Sequence, residues 1–154
     1  MTDTSQLKVL IVHGPNLNML GKRETEIYGS TTLAEIDEGL KRQGADAEIM
    51  VETFQSNYEG AIVEKIQQAF MEDINGIVIN PAALTHTSIS IRDALLLLKA
   101  PVIEIHLSNI YKRESFRHKS MIAGVVAAQI SGLGVMGYTL ALEGIIKLVK
   151  KTRT

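Results

Sequence analysis

The sequence predicts an α/β fold of the doubly wound kind: a five-stranded parallel sheet with helices on both faces. Five short apolar segments rich in β-branched residues alternate with helix-period segments, which is the pattern of a mostly parallel sheet covered by helices. Size agrees, because 154 residues with 45% hydrophobic content supply one core and leave no room for a second. Residues 1–154 are therefore expected to form a single domain, with residues 1–6 poorly ordered at its start.

Each element has a local reason. Lys8–Val12 (KVLIV) reads as a buried central strand, and Gly14-Pro15 stops it and opens a long loop. Thr32-Leu33-Ala34-Glu35 has the spacing of a capping box and starts a helix to about Gln43, with Gly44 as its stop. Glu48–Thr53 alternates as a half-exposed strand. Ser56 and Glu59 form a second capping box, opening a helix to about Phe70 with Ile62, Val63, Ile66 and Ala69 turned inward. Gly76–Ile79 is the third strand. Ser88–Leu98 reads as a helix whose LLLL run is more apolar than one buried face requires, which suggests a subunit contact. Val102–His106 is the fourth strand and Val125–Ile130 the fifth. Gly134–Lys150 is the last helix, with Lys147, Lys150 and Lys151 at the end that favours cations. This succession suggests a flavodoxin-like sheet, in which ligands bind beyond the carboxyl ends of the strands at the point where strand order reverses.

Composition narrows the function. A net charge of −1 with scattered basic residues leaves no electrostatic footprint for nucleic acid or an anionic membrane. No apolar run approaches the roughly 20 residues that span a bilayer, and the polar MTDTSQ start has no secretory pattern, so a cytoplasmic protein with a small-molecule partner is expected. Zero cysteines remove disulfides, thiolate metal sites and a cysteine nucleophile.

Candidate chemistry lies at the strand ends. The loop from His13 to Gly29 is too long for a βα connection of about 2–6 residues, which reads as an active-site lid over residues 14–29. It carries Asn16, Asn18, Arg23 and Tyr28, able to put amides, a fixed cation and a phenol over one pocket; a solvated loop is the alternative. The third strand runs into Asn80-Pro81 and then Thr85-His86-Thr87-Ser88 at a helix start, where N–H groups and hydroxyls suit a carboxylate or hydroxyl ligand, although Ser and Thr also cap helices. At the fourth strand's end, alternation puts Glu104 and His106 on one face, a pairing that favours a protonated histidine suited to general acid work. Beyond Leu107 and Ser108, Arg113 and Arg117 are four apart and share a face if helical; they could clamp an acidic substrate or pair with Glu114. His13 and His118 are read as structural.

Two patterns are set aside. Gly132, Gly134 and Gly137 match the G-x-G-x-x-G fingerprint, but the dinucleotide site needs a following strand and an acidic ribose partner about 20 residues on, and the chain ends first. A phospho-accepting receiver would want acids where His13 and Asn80 stand. No metal quartet is apparent among the histidines.

Taken together, GPNLNMLGKRE with IYGS, INPAALTHTSISIRD, EIHLSN and RESFR resemble the type II dehydroquinase (type II 3-dehydroquinate dehydratase) family, and the likeness runs from about Lys8 to Val149. The resemblance implies reversible dehydration of 3-dehydroquinate to 3-dehydroshikimate through an enol(ate), with no metal, cofactor or covalent intermediate. Tyr28, deprotonated near Arg23, would remove the C2 proton. Asn16 would help stabilise the enol(ate) through an ordered water, and His106 would protonate the departing C1 hydroxyl. Asn80, His86, the backbone around Leu107 and Ser108, and Arg117 would hold the substrate, with Glu104 and Arg113 in support. Asp93 would reach the site of a neighbouring subunit in trimers grouped into dodecamers.

Thr25 stands where the family often has proline, Ala82 where glycine is common, and Lys119 and Met121 where rings are often found. The type I route to the same dehydration predicts a barrel of about 250 residues with a buried lysine, and neither is present. A flavodoxin-like module binding a flavin or nucleotide at the same crevice would leave Tyr28, Arg23 and the Glu104/His106 pair without a task, and a purely structural oligomer predicts no activity to lose. Aromatic biosynthesis and quinate breakdown use the same reaction, so the residues do not separate them.

Overall fold

The computed structural model describes residues 5–22 and 25–153, with Ile27 and Tyr28 described by their backbone alone. Five parallel strands form one sheet in the order β2-β1-β3-β4-β5: β1 Lys8–His13, β2 Met50–Gln55, β3 Gly76–Asn80, β4 Val102–His106 and β5 Ala128–Ser131. The helices are α1 Thr25–Tyr28, α2 Leu33–Asp46, α3 Glu59–Met71, α4 Ile89–Leu95 and α5 Met136–Lys151. Strand order reverses at β1, so the ends of β1 and β3 flank the crevice where such sheets bind ligands.

The two faces of the sheet have separate cores. On one, Ile36 and Leu40 of α2 and Tyr138, Leu142 and Ile145 of α5 pack with Val9, Ile11, Val78 and Ile105. On the other, Ile62, Ile66 and Ala69 of α3 and Ile91, Ala94 and Leu95 of α4 cover Leu10, Val12, Ile77 and Ile79. No side chain caps the start of α5. Each buried aliphatic side chain is worth about 1.5–3 kcal/mol, against about 1 kcal/mol for a cap, so its inward face is what fixes this helix.

Several local expectations hold. The Thr32 capping box is present, with Glu35 N donating to Thr32 Oγ1 at 3.2 Å and Thr32 N donating to Glu35 Oε2 at 2.9 Å. Strand β4 has the predicted bounds. Ser88 caps α4 by accepting from Ile91 N at 2.9 Å.

Others are corrected. Gly44 does not stop α2 but lies inside it; a Cβ there would come within 2.3 Å of Val51 Cγ2, so glycine is required for helix–strand contact. Strand β2 begins at Met50 because Glu48 sits at φ 60° in the preceding turn. Ser56 accepts from Tyr58 N rather than from Glu59, and α3 starts without a side-chain cap. Helix α4 ends at Leu95, which is buried, and only Leu96 and Leu97 of the leucine run are strongly exposed. The segment from Ala123 to Val125 is a 3-10 turn, so β5 starts later than the apolar run suggests. No helix among the described residues is long and apolar enough to cross a membrane. The expectation for residues 1–6 falls in part outside the described residues; Ser5 accepts from Arg153 at 3.0 Å.

Candidate active site

The carboxyl ends of β1, β3 and β4 open into one cleft of about 180 Å³. Its floor depends on a close backbone approach. Gly14 N donates to Asn80 O at 2.7 Å, and a Cβ on Gly14 would lie 2.4 Å from Pro81 O. Only glycine lets the first and third strand ends lie side by side in this way.

Asn16, Asn80, His86, His106, Leu107, Ser108, Arg113 and Arg117 all line this cleft. Asn16 takes a left-handed backbone, φ 69°, a conformation asparagine tolerates better than most residues. Its N–H donates to Asn57 Oδ1 at 3.0 Å, and Gln55 Nε2 donates to Gly14 O at 3.2 Å. The end of β2 therefore holds the root of the long loop. Leu17 and Leu20 anchor the same loop in the core. Arg23 and the side chain of Tyr28 lie outside the described residues; the backbone of Tyr28 ends α1. Asn18 is exposed and does not line the cleft.

Glu104 is fully buried behind the cleft. A buried carboxylate costs several kcal/mol unless its oxygens are satisfied, and here they are. Oε1 accepts from Thr85 Oγ1, from Ser120 Oγ at 2.9 Å and from His106 Nε2 at 2.8 Å, while Oε2 accepts from Gln129 Nε2 at 2.6 Å. Burial alone would raise the Glu104 pKa, but the hydrogen bonds from His106, Thr85 and Gln129 and the attraction of His106 more than offset it and hold the group below the usual carboxylate value. Because an ionised carboxylate only accepts, His106 Nε2 must carry a proton, which leaves Nδ1 as the nitrogen that can exchange one with a ligand.

The His86 ring stacks on His106 with centroids 6.3 Å apart, and His86 Nδ1 lies 2.8 Å from Lys119 O. A carbonyl accepts, so His86 Nε2 is the ring atom left for a ligand. Arg113 and Arg117 do not share a helix; Arg113 follows one 3-10 turn, Arg117 is the last residue of the next, and both reach the same cleft. Arg113 Nη1 donates to Ser108 Oγ at 3.3 Å, and Arg117 Nε pairs with Glu114 at 2.7 Å. Arg117 is thus an ion-pair member and a cleft residue at once. Asp93 is exposed on α4 and does not line the chain's own cleft.

Ala82 carries φ 53°, which glycine would adopt at lower cost. Lys119 and Met121 contribute backbone rather than side-chain groups, because the Lys119 carbonyl meets His86 and the Met121 carbonyl accepts from Arg92 Nη1 at 2.9 Å. Substitution at these two positions leaves both contacts in place. Sequence reasoning missed Thr85, Ser120 and Gln129 as partners of Glu104; Thr85 sits within the segment singled out, whereas nothing local marks the other two. The glycines set aside as a dinucleotide decoy are engaged elsewhere: Gly132 N donates to His106 O at 3.2 Å and Gly134 N to Leu107 O at 2.9 Å.

Comparison with known proteins gives a consistent picture. A sequence model of the family described as dehydroquinase class II matches residues 7–146. The 3-dehydroquinate dehydratase of Endomicrobium trichonymphae is 55% identical over 142 residues, 92% of this chain and 99% of that protein. The 3-dehydroquinate dehydratase of Roseiflexus castenholzii is 54% identical over 140 residues, covering 91% and 88%. The crystal structure of type II dehydroquinase from Propionibacterium acnes superposes with a TM-score of 0.88 at 42% identity, covering 93% of this chain and 99% of that one.

Proposed function

Because the chain belongs to the dehydroquinase class II family, we propose that it converts 3-dehydroquinate to 3-dehydroshikimate by a reversible anti elimination through an enol(ate). The observation that carries the proposal is the convergence on one cleft of Asn16, Asn80, His86, Ser108 and Arg117 around a His106 held by buried Glu104. A ketone acidifies the hydrogen on its neighbouring carbon, so the elimination needs a base, a partner for the oxyanion and an acid. It needs no metal, cofactor or covalent intermediate.

In this reading residues 14–29 form a lid that brings Tyr28, as the phenolate, to the C2 hydrogen. Arg23 lies beside it, because a neighbouring guanidinium favours the charged form of a phenol. The C2–H electron pair passes into the enolate, whose oxygen Asn16 stabilises through an ordered water. As the enolate collapses, the C1–O bond breaks and the hydroxyl leaves as water, taking the proton on His106 Nδ1. Tyr28 then holds one proton more than at the start and His106 one fewer, and solvent exchange resets both. Asn80, His86, the backbone at Leu107 and Ser108, and Arg117 bind the hydroxyls and carboxylate, while Glu104 orients His106 and Arg113 supports the phenolate's environment.

The proposal extends to a cytoplasmic enzyme of a single domain, assembled as trimers grouped into dodecamers in which Asp93 reaches a neighbour's cleft. Exposed Asp93, Leu96 and Leu97 on and just after α4 support such a contact. The role favoured is aromatic amino acid biosynthesis by the shikimate route. Quinate breakdown uses the same reaction, and genomic neighbours would separate the two.

The test is growth of enone absorbance when the purified protein meets 3-dehydroquinate, with and without borohydride. Turnover that survives borohydride is expected. Turnover abolished by borohydride would point to an imine route, and no turnover would return the chain to a binding role.

A further inference from the structure

We infer that Asp37, His13 and Tyr138 form a buried relay that fixes the side-chain amide of Asn80, and so determines which hydrogen-bonding group the cleft offers a substrate oxygen there. The inference rests on the dehydratase reading above and concerns three residues to which that mechanism gives no task.

His13, fully buried at the end of β1, has both ring nitrogens engaged. Nε2 lies 2.7 Å from Asp37 Oδ1 on α2, and Nδ1 lies 2.7 Å from Tyr138 Oη on α5. Asn80 Nδ2 is 3.2 Å from the same Tyr138 oxygen, and Asn80 Oδ1 accepts from Ala82 N at 3.1 Å.

The direction of every bond follows from chemistry. The Asp37 carboxylate only accepts, so His13 carries its proton on Nε2. At the other end the Ala82 N–H can only donate to Asn80 Oδ1, which turns the Asn80 NH₂ to the Tyr138 oxygen and leaves the Tyr138 hydroxyl hydrogen to be donated to His13 Nδ1. Burial pushes the Tyr138 phenol well above its ordinary pKa, so that hydroxyl hydrogen is present at any working pH. With its hydrogen committed, the Tyr138 oxygen can only accept, and it accepts from the Asn80 NH₂. Flipping the Asn80 amide would set oxygen against oxygen at Tyr138 and N–H against N–H at Ala82. Two such mismatches, one buried and one partly buried, exclude the flipped form. Asn80 uses one N–H on Tyr138 and is left with the second in the cleft that it lines. The subsite is therefore a donor, suited to a carboxylate, carbonyl or hydroxyl oxygen of the substrate.

Asp37, His13 and Tyr138 are positioning residues, and a double-mutant cycle reads that role. Tyr138→Phe is expected to raise KM for 3-dehydroquinate about tenfold, the loss of one oriented hydrogen bond, with kcat within about threefold. In an Asn80→Ala background the same substitution should add less than about twofold. An equal rise in KM in both backgrounds, or no rise in the otherwise unaltered chain, would overturn the inference. Should Tyr138→Phe fail to fold, Asp37→Leu at the partly exposed end of the relay takes its place in the same cycle. Asp37→Asn, whose carbonyl still accepts from His13, should restore most of the KM, and failure to do so would count against the relay. Turnover by the unaltered chain is measured first; its absence would sink the dehydratase reading and this inference together, whereas turnover with an additive cycle sinks the inference alone.

Discussion

His106 Nε2 lies 2.8 Å from Glu104 Oε1, on a carboxylate that also accepts from Thr85, Ser120 and Gln129. His106 and Glu104 come from one strand, two residues apart, and Glu104 is held by three other segments. Glu104→Gln keeps the shape but removes the charge that favours a protonated His106. It is expected to lower kcat about a hundredfold with a smaller change in KM. Steady-state kinetics on 3-dehydroquinate check this, and a kcat within about threefold of the unaltered enzyme would remove Glu104 from the mechanism.

The same carboxylate makes a pH prediction. Its pKa is lowered in the fold, so its contribution to stability is present in full above the unfolded value of 4.5. That contribution is lost as pH falls below 4.5 toward the depressed folded value. Thermal unfolding followed downward from pH 6 should therefore give a shallower acid limb for Glu104→Gln than for the unaltered chain. Parallel limbs would show that other groups govern acid unfolding.

Tyr28→Phe tests the base. A chain without the phenol should lose at least about a thousandfold in turnover and still bind product-like ligands, as read by thermal shift or calorimetry. Substantial retained activity would mean that another group takes the C2 proton.

Asp93 is exposed and away from its own cleft. If it completes a neighbour's site, mixing inactive Asp93→Asn with inactive Tyr28→Phe subunits should restore part of the activity, because some sites then carry both intact residues. Mixed assemblies verified by native mass spectrometry and yet wholly inactive would confine Asp93 to its own subunit or to none.

What the sequence made legible was whatever depends on near neighbours along the chain. The Thr32/Glu35 capping box spans three residues, β4 is a short segment built on β-branched Val102, Ile103 and Ile105, and Glu104 and His106 share a face by alternation. What it hid depends on distant ones. Gly44 resembled a helix stop, yet its lack of a side chain answers to Val51 across the helix–strand contact. The leucine run suggested one long helix, but Leu95 turns inward and α4 ends there. Strand β5 lies at the sheet edge, where a strand buries less and its bounds leave a weaker apolar trace. His13 read as structural because its partners Asp37 and Tyr138 stand 24 and 125 residues away, beyond any local pattern.

The contact between Gly14 and the Asn80-Pro81 backbone sets a rule for building chimaeras of this enzyme. A loop transplanted after β1 from a relative carries a shape fitted to that relative's own β3 turn, and at Gly14 no side chain lies between the two backbones to absorb a mismatch. Exchanging residues 14–29 alone would tilt the transplanted segment against a foreign partner, whereas moving 80–86 with it would transfer the matched pair. The two segments are best treated as one inheritable cassette.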